Sequence, residues 1–301
     1  MVEEPLKVTK EEPPPTEDAT SLPFPFNQQT FCRYEPIEKQ IEEVRVLVVD
    51  SLLRDEDDLS DVARTDWGEA ASVEIKRERR IAGMAIENII SNIERLVKRP
   101  TTQVTHLASV AGAANQFKPD AIVLSGTLRD FDYYNPSVIE SFAEFIRTNK
   151  IPVLAICGGH QLVGLSFGAR VVTLDRLEQH EQRENRPLEY QYRYIRITEP
   201  ADPIFHQISN HTRLLRVWQN HGLQLDRVPE GFDLLATSYL CRNQMMVKRA
   251  AGQLIYAVQF HLEKSFEDWN KSRTRWEHQN ESRDGRILFE NFLTLALAHS
   301  S

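Results

Sequence analysis

Short apolar runs alternate with stripes of apolar residues spaced three and four apart along the first two thirds of the chain. Residues 44–50 (Val-Arg-Val-Leu-Val-Val-Asp) form a β-branched run that ends on an acid, the pattern of a buried strand. A polar loop is expected over 54–61. Over 75–97, Ala82, Ile86, Ile89, Ile93 and Leu96 recur at helical steps and share one face. Pro100 is expected to end that helix. Residues 103–107 carry a weak strand pattern and 120–126 a strong one. Residues 137–149 read as a helix with Val138, Phe142, Phe145 and Ile146 inward. A strand over 151–156 runs straight into a helix over 159–167.

This alternation predicts an α/β protein with a parallel sheet. Later the pattern changes: strands are expected at 190–197, 214–219, 245–248 and 254–260, with few helices between them. Residues 283–299 close the chain as an amphipathic helix carrying Ile287, Phe289, Phe292, Leu293 and Leu297. The fold class expected is α/β: an open, mixed, mostly parallel sheet with flanking helices and a small antiparallel extension. No internal repeat or heptad run is present.

Composition narrows the function classes. The chain has 301 residues and a formal net charge of −8. Residues 1–43 hold 10 acids, 4 bases, 7 of the 15 prolines and no glycine. Residues 1–40 therefore read as an acidic, proline-rich arm that cannot bury enough apolar surface to offset its ordering entropy. The near-neutral remainder offers no basic face to a phosphate backbone, so no nucleic-acid partner is expected. No apolar run approaches the roughly 18 residues of a membrane span, and the N-terminus lacks the basic start and apolar core of a secretory signal. Three cysteines, Cys32, Cys157 and Cys241, are too few for a disulfide scaffold or a multi-cysteine zinc module. A cytoplasmic protein with reduced thiols, no metal and no cofactor is the expectation.

Candidate chemistry gathers where glycine does. Five of the twelve glycines lie between 126 and 168. Within that stretch, a buried strand runs into Cys157, then Gly158 and Gly159, then a helix. A sharp strand-to-helix turn exposes a nucleophile, and small neighbours allow the turn to form. A helix N-terminus also favours the reactive thiolate. Cys32 and Cys241 lack this setting and read as small buried residues. A thiolate needs a base, usually histidine. His261 follows the strand over 254–260, and Glu263, two residues on, points to the same side if the extended conformation continues. That spacing suits a carboxylate that orients an imidazole.

Four separated segments, in order, resemble the class I (triad-type) glutamine amidotransferase family, most closely the glutaminase part of GMP synthase. Leu124-Ser-Gly126 resembles the oxyanion loop. Pro152-Val-Leu-Ala-Ile-Cys157-Gly-Gly-His-Gln161 resembles the nucleophile turn. Val217-Trp-Gln-Asn-His221-Gly222 resembles the Trp-x-x-His-Gly loop, and residues 228–238 continue that match. Val258-Gln-Phe-His261-Leu-Glu263 resembles the end of the triad, and 285–292 the family's last helix. Thr127 stands where the family has a second glycine, and Leu262 where it has proline.

The resemblance spans about residues 44–298 and implies a flavodoxin-like single domain over 44–299. Polar insertions fall at about 54–74 and 264–284. It implies a catalytic Cys157, His261 and Glu263, and an oxyanion hole from Gly126, Thr127 and Gly158. Gln161, Asn220, His221 and Gly222 would bind substrate. The substrate implied is glutamine or a γ-glutamyl compound, cleaved through a Cys157 thioester. No synthetase domain fits beside this body and no GxxxxGK[ST] loop is present, so a separate ATP-dependent synthetase subunit is the partner expected to take the ammonia. A stand-alone γ-glutamyl hydrolase or peptidase and a catalytically silent regulatory homologue are the alternatives.

Overall fold

The apolar runs become strands of one nine-stranded sheet. In the computed structural model, residues 37–208, 213–264 and 283–300 are described. The arm up to residue 36, Cys32 and almost all of the 264–284 insertion lie outside these residues. β1 (Ile41–Asp50), β2 (Val97–His106), β3 (Ala121–Leu124), β4 (Val153–Ile156) and β11 (Ile255–Val258) pair parallel in the order β2-β1-β3-β4-β11. β10 (Met245–Lys248), β9 (Asp233–Thr237), β6 (Glu189–Ile197) and β7 (Leu214–His221) continue the sheet antiparallel. β5 (Val171–Thr173) and β8 (Leu223–Leu225) form a separate antiparallel pair. The mixed, mostly parallel α/β fold is as expected from the alternation.

Helices cover both faces, which is why the parallel strands read as continuous apolar runs. Alternate residues of β1 serve different cores. Val44, Val46 and Val48 pack with Ile89, Ile93 and Leu96 of α3 (Met84–Leu96), and with Phe289 and Phe292 of α7 (Arg283–Ser300). Leu47 and Val49 pack with Val110 of α4 (Val110–Phe117), Phe142 and Ile146 of α5 (Pro136–Thr148), and Leu162 of α6 (Gly158–Ser166).

Three local expectations are corrected. The helix read over 75–97 is two helices, α2 (Ala71–Ala82) and α3, broken at Gly83. Pro100 does not end α3: the backbone is already extended at Val97, and Pro100 lies inside β2. β2 is an edge strand, where a missing N–H donor is tolerated. Residues 54–61 are not a simple loop. They hold a helical turn (Glu56–Asp58) and lead into α1 (Asp61–Trp67), whose first turn is capped by Ser60 Oγ accepting from Ala63 N at 3.2 Å.

The antiparallel strands do not simply run away from the parallel ones. Trp218 of β7 makes an antiparallel bridge with His261, just beyond β11, and the His261 N–H donates to Trp218 O at 2.8 Å. The strands β11-β10-β9-β6-β7 therefore curl back until the last meets the continuation of the first.

Candidate active site

The carboxyl ends of three neighbouring parallel strands, β3, β4 and β11, deliver Gly126, Cys157 and His261 to one place. This is the edge at which open α/β sheets bind ligands. Cys157 follows β4 at the N-terminal cap of α6, with φ 51° and ψ −105°. A non-glycine residue is costly there, by about 1–3 kcal/mol, and persists only where its surroundings hold it. Here the Cys157 N–H donates to Val258 O at 2.7 Å, and Cys157 O accepts from Gln161 N at 3.1 Å.

Gly158 is dictated by crowding. A Cβ at this position would lie 2.3 Å from Thr127 N and 2.6 Å from Thr127 Cβ. The nucleophile turn and the loop after β3 thus meet main chain to main chain. Thr127, which replaces the family's glycine, does not adopt a positive φ, a conformation that a β-branched residue resists.

His261 Nδ1 lies 2.7 Å from Glu263 Oε1, and the imidazole stands beside Cys157, whose charge acts on it. A carboxylate only accepts, so Nδ1 carries hydrogen and Nε2 is the nitrogen left for sulfur. Burial works against a charged ring, but Glu263 and then Cys157 outweigh it, and His261 is held well above the ordinary histidine range. Glu263 is buried, with its main-chain oxygen accepting from Asn92 Nδ2 at 2.8 Å. Leu262, in place of proline, is buried in the core beneath.

These groups open on a cavity of about 730 Å³ that Gly126, Thr127, Cys157, Gln161, Asn220, His221, Gly222, His261 and Glu263 all line. Gly158 sits behind Cys157 rather than on the wall. Other wall residues have no signal in the sequence. Arg129 is held by Glu78 and Glu74 of α2 and lies over Trp67, so the acidic insertion packs against the loop after β3. Asp130 of that loop takes a two-point contact from Arg186, at 2.9 and 2.7 Å, and a third bond from Arg183 at 3.2 Å.

Of the predicted substrate-binding residues, His221 has its imidazole turned into the protein. Nδ1 donates to Leu223 O at 2.9 Å, and Nε2 is 3.0 Å from Glu189 Oε2, an ion-pair distance without hydrogen-bond alignment. Glu189, His221 and Cys241 bring one ligand-type atom each within 4.8 Å of one another. They are the one such trio among the described residues. The carboxylate is already served by Ser238 Oγ at 2.9 Å and Gln244 Nε2 at 2.7 Å, and Cys241 Sγ faces Asn243 O at 3.4 Å. Burial, then Glu189, pushes the Cys241 thiol up, so it stays protonated. In this polar cluster the carboxylate and the thiol have protein partners, and His221 Nε2 has no aligned one. His160, behind the nucleophile, is fully buried with neither ring nitrogen bonded among the described residues. Burial and then His221 push its pKa down to about 3.

Known proteins resemble this chain in sequence and in fold. Residues 85–278 match the glutamine amidotransferase class-I family. The chain is 28% identical over 176 residues to a glutamine-hydrolyzing GMP synthase subunit from Methanothermobacter thermautotrophicus, covering 58% of this chain and 73% of that one. It is 34% identical over 147 residues to the corresponding GMP synthase subunit from Thermococcus kodakarensis, covering 48% and 67%. Among solved structures, a GMP synthase subunit from Thermoplasma acidophilum shares the fold, with a TM-score of 0.53, 22% identity, and 85% and 96% of the two chains covered. A glutamine amidotransferase from Thermotoga maritima gives a TM-score of 0.50 at 17% identity over 84% and 98%.

Proposed function

Because the chain belongs to the class I glutamine amidotransferase family, we propose that it hydrolyses the side-chain amide of glutamine and supplies the ammonia to a separate synthetase. The observation that carries this reading is that Cys157 and the hydrogen-bonded pair His261–Glu263 line one cavity. In the reaction, the Cys157 thiolate, its proton held on His261 Nε2, attacks the amide carbon. The tetrahedral oxyanion is held by N–H groups of Gly158 and of the 126–127 loop. Collapse expels ammonia, which takes the proton from His261, and leaves a thioester. Water, deprotonated by His261, attacks the thioester carbon, and glutamate leaves as the sulfur regains its proton. Glu263 orients His261 throughout. Gln161, Asn220 and the main chain of 221–222 hold the amino-acid end of the substrate.

The relatives, each named as one subunit of a GMP synthase, support delivery to a second chain. A cavity of about 730 Å³ is roomy for one amino acid, which supports a γ-glutamyl amide or peptide as the second substrate class. The test is incubation of the purified chain with glutamine, measuring glutamate and ammonia, with Cys157→Ala as control. Turnover that vanishes in the variant is expected. Cleavage of γ-glutamyl compounds but not glutamine would establish the second class. A Cys157 that a glutamine-analogue electrophile cannot label would overturn both.

A further inference from the structure

The interior behind Cys157 contains a chain of amides whose orientation follows from one main-chain carbonyl. Leu223 O carries no hydrogen and can only accept. It lies 3.1 Å from one end of the Gln161 amide, so that end is the NH₂ group. The same Nε2 lies 3.1 Å from the Gln259 side chain, so the atom it meets there is Oε1. The other end of Gln259 is then its NH₂ group, and it stands 3.7 Å from Cys157 Sγ. Turning either amide over would set two oxygens against each other in the interior. Gln259 is 0% and Gln161 3% exposed, so no solvent relieves that repulsion. Gln259 is also pinned through its main chain, its N–H donating to Gln244 O at 2.9 Å.

We propose that Gln259 is a catalytic residue of this site, its side-chain amide donating to Cys157 Sγ and stabilising the thiolate, with Gln161 and the Leu223 carbonyl as the positioning groups that aim it. The assignment rests on Cys157 being the nucleophile. A fixed N–H donor favours the charged sulfur over the neutral thiol, because hydrogen bonds to ions are the stronger ones. Sulfur therefore has two neighbours with different tasks: His261 moves the proton, and Gln259 holds the charge that remains. Gln161 spends both amide hydrogens inside the protein, which leaves only its oxygen for a ligand. It can accept from the α-amino group of an amino-acid substrate, and its side chain cannot donate to the α-carboxylate.

The test reads the sulfur directly, without substrate turnover. Alkylation of Cys157 by iodoacetamide is followed by mass spectrometry of its peptide over a pH series, in the full chain and two variants. Gln259→Glu keeps an oxygen for Gln161 Nε2 but turns the donor at sulfur into an acceptor. Alkylation at neutral pH should slow about tenfold or more, and its midpoint should move to higher pH. Gln259→Met removes the donor without adding charge and should shift the midpoint the same way by less. It also carries the test if the glutamate variant fails to fold. A packing defect alone does not move that midpoint. Wild-type profiles in folded variants overturn the role of Gln259 and leave the nucleophile intact. A wild-type Cys157 inert to iodoacetamide across the series overturns both.

Discussion

Replacing Gly158 with alanine tests whether the contact between the nucleophile turn and the loop after β3 builds the oxyanion hole. The added Cβ would fall 2.1 Å from Thr127 Oγ1, 2.3 Å from Thr127 N and 2.6 Å from Thr127 Cβ. The hydroxyl can rotate away, but the nitrogen and Cβ move only with the main chain. Reaching ordinary contact requires the loop to retreat by about 1 Å, a displacement that costs about 10²-fold in a positioned site. Removing one oxyanion donor costs about 10²–10³-fold in kcat, the same range. Overpacking costs about 1–3 kcal/mol of stability, less than a typical domain possesses, so the variant should fold. The assay is glutamine hydrolysis with a thermal melt alongside. Expected is a kcat lowered at least 10²-fold, with Cys157 still alkylated at the wild-type rate because the donors to sulfur lie elsewhere. Adding Thr127→Gly removes the hydroxyl and the Cβ but not the nitrogen, so recovery should be partial. A folded Gly158→Ala protein with wild-type kcat would refute the reasoning.

Glu263→Gln keeps the shape of the side chain but removes the charge that outweighs the burial of His261. A drop in kcat of about 10²–10⁴-fold is expected. The pH profile of His261, followed by NMR of the ring, should move down, and an unmoved profile would refute the coupling. The sign for wild type follows: with its folded value raised, His261 adds stability at low pH that is lost as pH rises through that value. His160 behaves oppositely. Its folded pKa is pushed down to about 3 while an unfolded histidine titrates near 6.5, so acid favours unfolding progressively between those values. His160→Leu should flatten the decline of the urea midpoint below about pH 6; parallel curves for the two proteins would show that His160 is not the group responsible.

Much of this was legible in the sequence, and the gaps have physical causes. β1, β3, β4 and β11 are buried on both faces, so composition alone marks them as apolar runs. β5 and β8 are three residues each, too short to display a period. The helix before Pro100 stops early because α3 passes directly into an edge strand, where proline is compatible with pairing. The Cys157 turn and the His261–Glu263 pair stood out because strand ends followed by small or polar residues are visible locally. Gln259 did not, although it sits two residues before His261. Its role depends on Gln161 and Leu223, and on which end of each amide faces which neighbour. Glu189 gave no signal either: it opens a strand whose next residues are exposed, and only the fold brings it to His221.

The curl of the antiparallel strands explains why those missed residues are polar and buried. β7 is the last strand of the order, yet Trp218 bridges to His261 at the exit of β11. Strands that close on themselves need an interior, and this one holds Gln219, Gln244 and Gln259, each 0% exposed, with Glu189 and His221. Amides can tie strands at fixed spacing because each donates and accepts: Gln219 Nε2 donates to Gln244 Oε1 at 2.9 Å, and Gln244 Nε2 to Glu189 Oε2 at 2.7 Å. An apolar interior would close the strands with more burial energy but without a register. The register matters here because His261 hangs from the closing bridge by its own N–H. One residue of slip between β7 and the 259–261 segment would turn the imidazole away from Cys157, since successive residues of an extended segment face opposite sides. The glutamines thus contribute less to how firmly the chain folds than to where the base stands when it has folded.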